Sequence, residues 1–193
     1  MSDEFKQYII SLYQDIPQEV YEGLLSVFCI GLVVFIAWKG FKIGLRYSVA
    51  LLLIEYIFLI FCSTVFFRTT SELRKYDFQP FWSYKAIQDG REDLLAENIM
   101  NVIVFIPIGM ILGLLFRVKG SWSPNGSWLM VKGSWLLVAI IGCGISVTIE
   151  ALQFFFLRGF SELDDVMHNT VGCILGYLIL RGFRHFSIVV SSR

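Results

Sequence analysis

Charged residues are scarce in this chain, and neither sign is in excess. Only 17% of the 193 residues are charged and the net charge at pH 7 is zero, whereas soluble domains carry about 25% charged residues. A chain with balanced charge lacks the basic surface that nucleic acid requires, so nucleic acid is excluded as a partner. Hydrophobic residues make up 56% of the chain. This composition predicts a single integral membrane domain.

The first 22 residues lack the basic stretch that opens a secretory signal peptide. Residues 1–22 contain one lysine, Lys6, against five acidic residues, so we expect no cleaved signal. Apolar residues recur there at helical spacing until Pro17, which predicts a short amphipathic helix on the membrane surface. The four cysteines lack CxxC spacing and fall in apolar runs, which indicates small core residues.

Five apolar runs approach the length of about 20 residues that a membrane-spanning helix needs. They cover residues 23–38, 47–67, 99–116, 135–157 and 166–183. The predicted fold is therefore all-α, an integral membrane bundle of about five helices preceded by the amphipathic segment 1–22. The bundle occupies residues 23–183, its longest polar loop is 68–98, and residues 184–193 form a tail.

Lysine and arginine are distributed unequally between the two sides of this predicted bundle. The side with the tail carries nine of them and the side with loop 68–98 carries seven. Because basic residues are retained in the cytoplasm, we expect the N-terminus and loop 68–98 outside and the C-terminus in the cytoplasm.

Two carboxylates, Glu55 and Glu150, lie inside predicted spans. A charge at membrane depth costs several kcal/mol unless it is paired or hydrated, so such residues are candidates for function. Ser146, Glu150 and Gln153 share one helical face. That face either binds a polar ligand or joins helices by hydrogen bonds. For Glu150 we favour function, as a candidate catalytic base. Glu55 is either a second member of the polar site or a structural hydrogen-bond partner.

The turn 158–165 and the start of the fifth span continue this polar pattern. Arg158 carries a guanidinium fork suited to phosphate, although a salt bridge to a nearby acid explains it equally well. Asp165 and Asn169 occupy one face of the span, and Asn101 in the third span either faces the same cavity or caps its helix. We predict no cofactor. The alternative is a Mg²⁺ or Mn²⁺ site built from Asp164, Asp165 and His168 together with Glu150, with His168 bonded to Asp164 if no metal is present.

Three segments in this order resemble the VanZ-like family of membrane proteins. They are PFWSY at 80–84, NVIVFIPIG at 101–109 and SVTIEALQFFFLRGFSELDDVMHNTVGCILGY at 146–177, and TVFFR at 64–68 is also similar. The resemblance implies a small helical protein of the bacterial inner membrane, in a family linked to low-level teicoplanin resistance. It implies recurrent polar positions at six residues: Asn101, Glu150, Gln153, Arg158, Asp165 and Asn169. It assigns no catalytic role to any of them.

Two functions fit these residues. In the first, an outward-facing polar pocket binds an anionic lipid or a lipid-linked cell-wall precursor. Arg158 contacts the anion, and the residues around the ligand are Asn101, Gln153, Asp165 and Asn169. The PFWSY segment anchors the protein at the membrane interface. In the second, the protein is a membrane enzyme that hydrolyses or transfers a group on a lipid-linked substrate, with Glu150 as base and a divalent metal at Asp164 and Asp165. Whether the protein is an enzyme stays open, and a homodimer through the glycines of the fifth span is a further option.

Overall fold

The computed structural model describes residues 45–118 and 134–191. Its elements, in chain order, are α1 (Leu45–Phe61), a π-helical turn (Cys62–Phe66), β1 (Tyr76–Asp77), α2 (Trp82–Gln88), α3 (Asp93–Val118), α4 (Ser134–Phe156), β2 (Ser161–Glu162) and α5 (Leu163–Ser191). The predicted amphipathic segment 1–22 and the predicted span 23–38 lie outside the described residues. The all-helical class is confirmed, because the two strands hold only two residues each.

Four of the described helices are long and apolar enough to cross a membrane. The spanning segments are Tyr47–Phe66, Asp93–Phe116, Trp135–Phe156 and Leu163–Phe183. Two of them match the predicted spans 47–67 and 135–157 to within one residue. The helix predicted from residue 99 begins instead at Asp93, whose carboxylate in the first turn favours the positive end of the helix dipole. Residues 184–191, predicted as a tail, continue α5.

Helices α3 and α5 pack closely because glycines remove side chains from their contact. A methyl group on Gly172 would overlap the carbonyl of Val102, and one on Gly176 would overlap the carbonyl of Ile106. The predicted close approach at these glycines therefore occurs within the chain, against α3. Around this contact lies the core of the bundle, which includes Phe105, Ile108, Leu112, Cys173 and Tyr177.

Loop 68–98 folds across the turn between α4 and α5. Strand β1 pairs in parallel with β2, so that Tyr76 lies opposite Ser161 and Asp77 opposite Glu162. The Ser71 amide donates to the Leu157 carbonyl at 2.7 Å, and the Ser161 amide donates to the Lys75 carbonyl at 3.1 Å. The loop, the turn and the adjoining ends of α1, α3, α4 and α5 therefore lie together at one end of the bundle, where the site described next is found.

Candidate ligand-binding site

A cavity of about 580 Å³ lies at this end of the bundle, below loop 68–98. Five of the six predicted site residues line it: Asn101, Glu150, Gln153, Asp165 and Asn169. They come from three helices, and each was predicted from a polar face within an apolar span. The cavity lies where α1, α3, α4 and α5 adjoin loop 68–98 and the turn 157–162.

The cavity has three levels along the bundle. The mouth is formed by the loop, with Phe67, Arg68, Thr69, Ser71 and Lys75, and by the turn, with Gly159 and Phe160. The polar residues of the three helices come next. Asn169 lies one turn after Asp165 and therefore about 6 Å deeper. The floor is apolar and is formed by Val104 and Phe105, which lie about one turn after Asn101 on α3. Ile60 and Ile149 add apolar surface to the lining.

Hydrogen bonds connect the polar residues of the middle level across helices. The Asn101 amide donates to Asp165 Oδ1 at 2.6 Å, and the Asn169 amide donates to Ser146 Oγ at 2.8 Å. Asn101 therefore pairs with α5 and does not cap α3, which begins two turns earlier at Asp93. Glu150 Oε2 accepts the Glu162 backbone N–H at 2.9 Å. This bond ties Glu150 to the turn while its side chain lines the cavity.

Arg158 does not line the cavity, and the structure places its guanidinium on the end of α1. Its Nη1 donates to the carbonyl of Val65 at 3.1 Å and to the carbonyl of Phe66. Both carbonyls belong to the π-helical turn, where the last carbonyls of a helix lack partners within it. Gln153 Nε2 satisfies a third carbonyl of this turn, that of Thr64, at 3.0 Å. Arg158 thus fixes the turn 157–162 to the end of α1.

The basic residues at the cavity mouth are Arg68 and Lys75, which we did not predict. Arg68 lies two residues after the end of the π-helical turn, and its charge acts on Glu97, Glu150 and Asp165. Within the residues that the structure describes, neither Arg68 nor Lys75 forms an ion pair within 4 Å, and the pair formed there is Arg91 with Asp93. Arg68 is the last residue of the TVFFR segment. The resemblance of this segment to the VanZ-like family is the feature of the sequence that could have identified Arg68.

Gly159 makes room for the Arg68 guanidinium. A methyl group on Gly159 would overlap Arg68 Nη1, and Gly159 has a φ of +81°. Only glycine adopts this left-handed conformation without strain. The turn that Arg158 anchors therefore positions Arg68 at the mouth of the cavity.

Asp164 and His168 bind residues of loop 68–98 by hydrogen bonds. They do not form a set of metal ligands with Asp165. Asp164 is fully buried. Its carboxylate accepts hydrogen bonds from the Phe81 amide at 2.6 Å, the Ser83 amide at 2.9 Å and the Ser83 hydroxyl at 2.6 Å. His168 Nε2 lies 2.8 Å from the Tyr84 hydroxyl, so Tyr84 is a side-chain partner of His168, and the predicted bond to Asp164 stays a prediction.

The PFWSY segment docks on the start of α5 through the same residues. Trp82 Nε1 donates to Glu162 Oε2 at 2.9 Å, Ser83 bonds Asp164, and Tyr84 bonds His168. Phe81 and Tyr84 remain exposed, which leaves the predicted interfacial anchoring as a prediction. Burial, together with the nearby Glu97 and Glu150 carboxylates, raises the pKa of the Glu162 carboxyl to about 8, although the bond from Trp82 acts to lower it.

Glu55 does not line the cavity. It lies half-buried on α1, between the exposed Ile54 and the partly buried Tyr56. The Tyr56 hydroxyl donates to the Val104 carbonyl of α3 at 2.9 Å, so the residue that joins α1 to α3 here is the tyrosine. Glu55 is therefore not a member of the polar site in this cavity.

Comparison with known proteins identifies the relatives of this chain. Over 80 residues it is 38% identical to Protein VanZ of Enterococcus faecium, and the match covers 42% of this chain and 41% of that protein. The matched part thus spans less than half of that relative's length. No solved structure matches the chain. The family model VanZ/LLP1 matches residues 47–184, which include every cavity residue named above. The chain therefore belongs to the VanZ-like family.

Proposed function

We propose that this protein binds the head group of an anionic membrane lipid or a lipid-linked cell-wall precursor in the cavity below loop 68–98. The observation that carries the proposal is the pair of basic residues at the mouth, Arg68 and Lys75, which have no ion-pair partner within the described residues. A guanidinium and an ammonium at the entrance of a partly buried cavity are the side chains that proteins use to bind phosphate.

The position of Arg68 makes an anion at the mouth favourable. Three carboxylates, those of Glu97, Glu150 and Asp165, line the same cavity, yet none lies within 4 Å of a basic nitrogen in the part of the chain that the structure describes. Arg68 is therefore held near acids without being neutralised by one in direct contact. A charge-assisted hydrogen bond from Arg68 to a phosphate contributes about 1.5–3 kcal/mol.

The cavity also suits an amphiphile. Its size of about 580 Å³ falls within the range of about 300–1,000 Å³ that is typical of small-molecule sites. Its mouth is polar and its floor is apolar, and it lies at the ends of four helices that are long and apolar enough to cross a membrane. A ligand dissolved in the bilayer reaches such a site with its head group at the membrane boundary.

The family supplies the physiological setting of the proposal. A VanZ-like protein at the bacterial inner membrane, with loop 68–98 outside, would meet lipid-linked cell-wall precursors at the outer face of that membrane. Sequestering or altering access to such a lipid accounts for lowered susceptibility to a glycopeptide such as teicoplanin. The orientation is testable by placing a cysteine at the exposed Gln79. An outward loop predicts labelling of Gln79→Cys by a membrane-impermeant maleimide in intact cells, and labelling only after lysis contradicts it.

Native mass spectrometry of the protein purified from bacterial membranes tests the binding. We expect the wild-type chain to carry a phospholipid or a lipid-linked precursor, and Arg68→Ala to lose most of it. Arg74→Ala is the matched control, because Arg74 lies on the same loop but stacks over the Phe154 ring, 5.1 Å from its centroid, outside the cavity. A wild-type chain without lipid, or equal loss in both variants, contradicts the proposal.

A second candidate function is catalysis on the same bound lipid, and the observation that favours it is the buried Glu150 carboxylate lining the cavity. Its Oε2 accepts the Glu162 backbone N–H, and a carboxyl group in this position is a candidate for proton transfer to or from a bound ligand. A metal-dependent version of this mechanism lacks Asp164 as a ligand, because both Asp164 oxygens accept hydrogen bonds from residues 81–83. The test is turnover: Glu150→Gln must abolish conversion of the co-purified lipid while leaving its binding unchanged.

A further inference from the structure

The middle level of the cavity offers hydrogen-bond acceptors that the protein leaves without donors. Resting on the proposed function, we infer that the ligand is a phosphodiester whose head group carries hydrogen-bond donors, either hydroxyl or ammonium. The phosphate lies at Arg68 and Lys75, and the donors enter the level formed by Gln153, Asp165 and Asn169.

Gln153 provides the first acceptor. It is 5% exposed and its Oε1 is buried without a hydrogen-bond partner among the described residues. The orientation of this amide is determined by the Thr64 carbonyl, which only accepts and therefore faces Nε2. The remaining atom is thus a carbonyl oxygen. A buried acceptor that stays unpaired costs about 1–3 kcal/mol, so this oxygen favours any ligand that brings a donor.

Asn169 and Asp165 provide further acceptors on α5. Asn169 is also 5% exposed, and its Oδ1 has no partner within the described residues, since its Nδ2 is used by Ser146. Asp165 accepts from Asn101 with one oxygen and retains the other. These atoms and Gln153 Oε1 come from two helices that line the same cavity. A phosphate without donors would add only acceptors to this level and leave all of them unpaired.

The charges of the cavity point to the same chemistry. Its lining holds three carboxylates, from Glu97, Glu150 and Asp165, and two basic groups, from Arg68 and Lys75. Once a phosphate has occupied the basic groups at the mouth, a second anion deeper in the cavity would meet the carboxyl groups of Glu150 and Asp165 and no further basic group of the lining. A neutral hydroxylated group or an ammonium group instead donates to them. Glycerol, sugar and ethanolamine head groups share this property.

Two matched pairs of short-chain lipids test the inference on the purified full-length chain in detergent. Dihexanoyl phosphatidylglycerol carries hydroxyls that phosphatidylmethanol lacks, at the same charge. Dihexanoyl phosphatidylethanolamine carries N–H donors that phosphatidylcholine lacks. We expect at least one donor-bearing lipid to bind about tenfold tighter than its pair, which corresponds to about 1.4 kcal/mol. The pair that shows the preference distinguishes hydroxyl from ammonium.

Two variants connect the preference to these oxygens. Gln153→Met removes Oε1 at similar volume, and Asn169→Leu removes Oδ1, so each is expected to bring the affinity ratio within the pair toward one. Affinity for phosphatidylmethanol is the folding control, because it depends on Arg68 and not on these amides. Equal affinities within both pairs of the wild-type chain overturn the inference and leave the proposed function intact, and they are also the result expected if only water fills this level. Absence of binding by all four lipids overturns both.

Discussion

Replacing Asp164 is expected to detach loop 68–98 from the bundle. The carboxylate is fully buried and accepts three hydrogen bonds, from the Phe81 amide, the Ser83 amide and the Ser83 hydroxyl. In Asp164→Ala, all three donors lose their acceptor. A hydrogen bond to a charged group contributes about 1.5–3 kcal/mol. With part of the loss recovered by water that enters the gap, we expect a destabilisation of about 4 kcal/mol.

This loss is measurable as thermal unfolding in lipid nanodiscs and as proteolysis of the loop. For a chain of this size, 1 kcal/mol lowers the unfolding temperature by about 2–4 °C, so Asp164→Ala should lower it by about 10 °C. Trypsin should cleave the loop faster in the variant, because Asp164 no longer holds residues 81–83. Asp89→Ala is the control, since Asp89 is exposed on the same loop and should change the unfolding temperature by less than about 2 °C.

Asp164→Asn separates a structural role from a metal-binding one. The asparagine keeps the volume but replaces one acceptor oxygen by an NH₂ group that faces a donor, so it should destabilise the loop nearly as much as alanine. An unfolding temperature equal to that of the wild-type chain in both variants would refute the role assigned to Asp164. Loss of a bound divalent ion without loss of stability would restore the metal hypothesis for this residue.

Three further predictions concern helix packing, pH and the cavity mouth. Gly172→Ala places a methyl group against the backbone of α3 and should destabilise the fold by about 1–3 kcal/mol, whereas Gly144→Ala, with open space around it, should be neutral or slightly stabilising in the same unfolding assay. The Glu162 carboxyl retains its proton in the fold up to about pH 8 but loses it near pH 4.5 when unfolded, so stability should fall as pH rises through this window. Glu162→Gln should reduce that slope, and an unchanged slope contradicts the assignment. Gly159→Ala should displace Arg68 and lower the affinity for phosphatidylmethanol about tenfold, and unchanged affinity would show that the guanidinium does not need this gap.

Helical periodicity predicts much of the site because it is a local property. The faces that carry Glu150 with Gln153 and Asp165 with Asn169 follow from spacings of three and four residues, and both line the cavity. Adjacent residues on a helix point about 100° apart, which is why Asp164 reaches the loop while Asp165 faces the cavity. The spacing alone does not say which of these two faces is directed inward.

The role of the arginines was not predictable from the sequence, because it depends on the path of the loop. Arg68 and Arg158 both flank a spanning helix, and either is suited to phosphate. The structure separates them through the left-handed conformations of Leu157 and Gly159 and through the pairing of β1 with β2. These contacts join residues about 85 positions apart and leave no periodic signal. They direct Arg158 to the end of α1 and leave Arg68 at the cavity.

The central claim is that Arg68 and Lys75 hold a phosphate at the mouth of the cavity. An experimental structure of the full chain in nanodiscs that contain phosphatidylglycerol measures this directly. We expect phosphate density within hydrogen-bond distance of both side chains, with the glycerol group near Gln153 and Asn169. Water alone in the cavity, with Arg68 turned onto Glu97 or Asp165, would contradict the account.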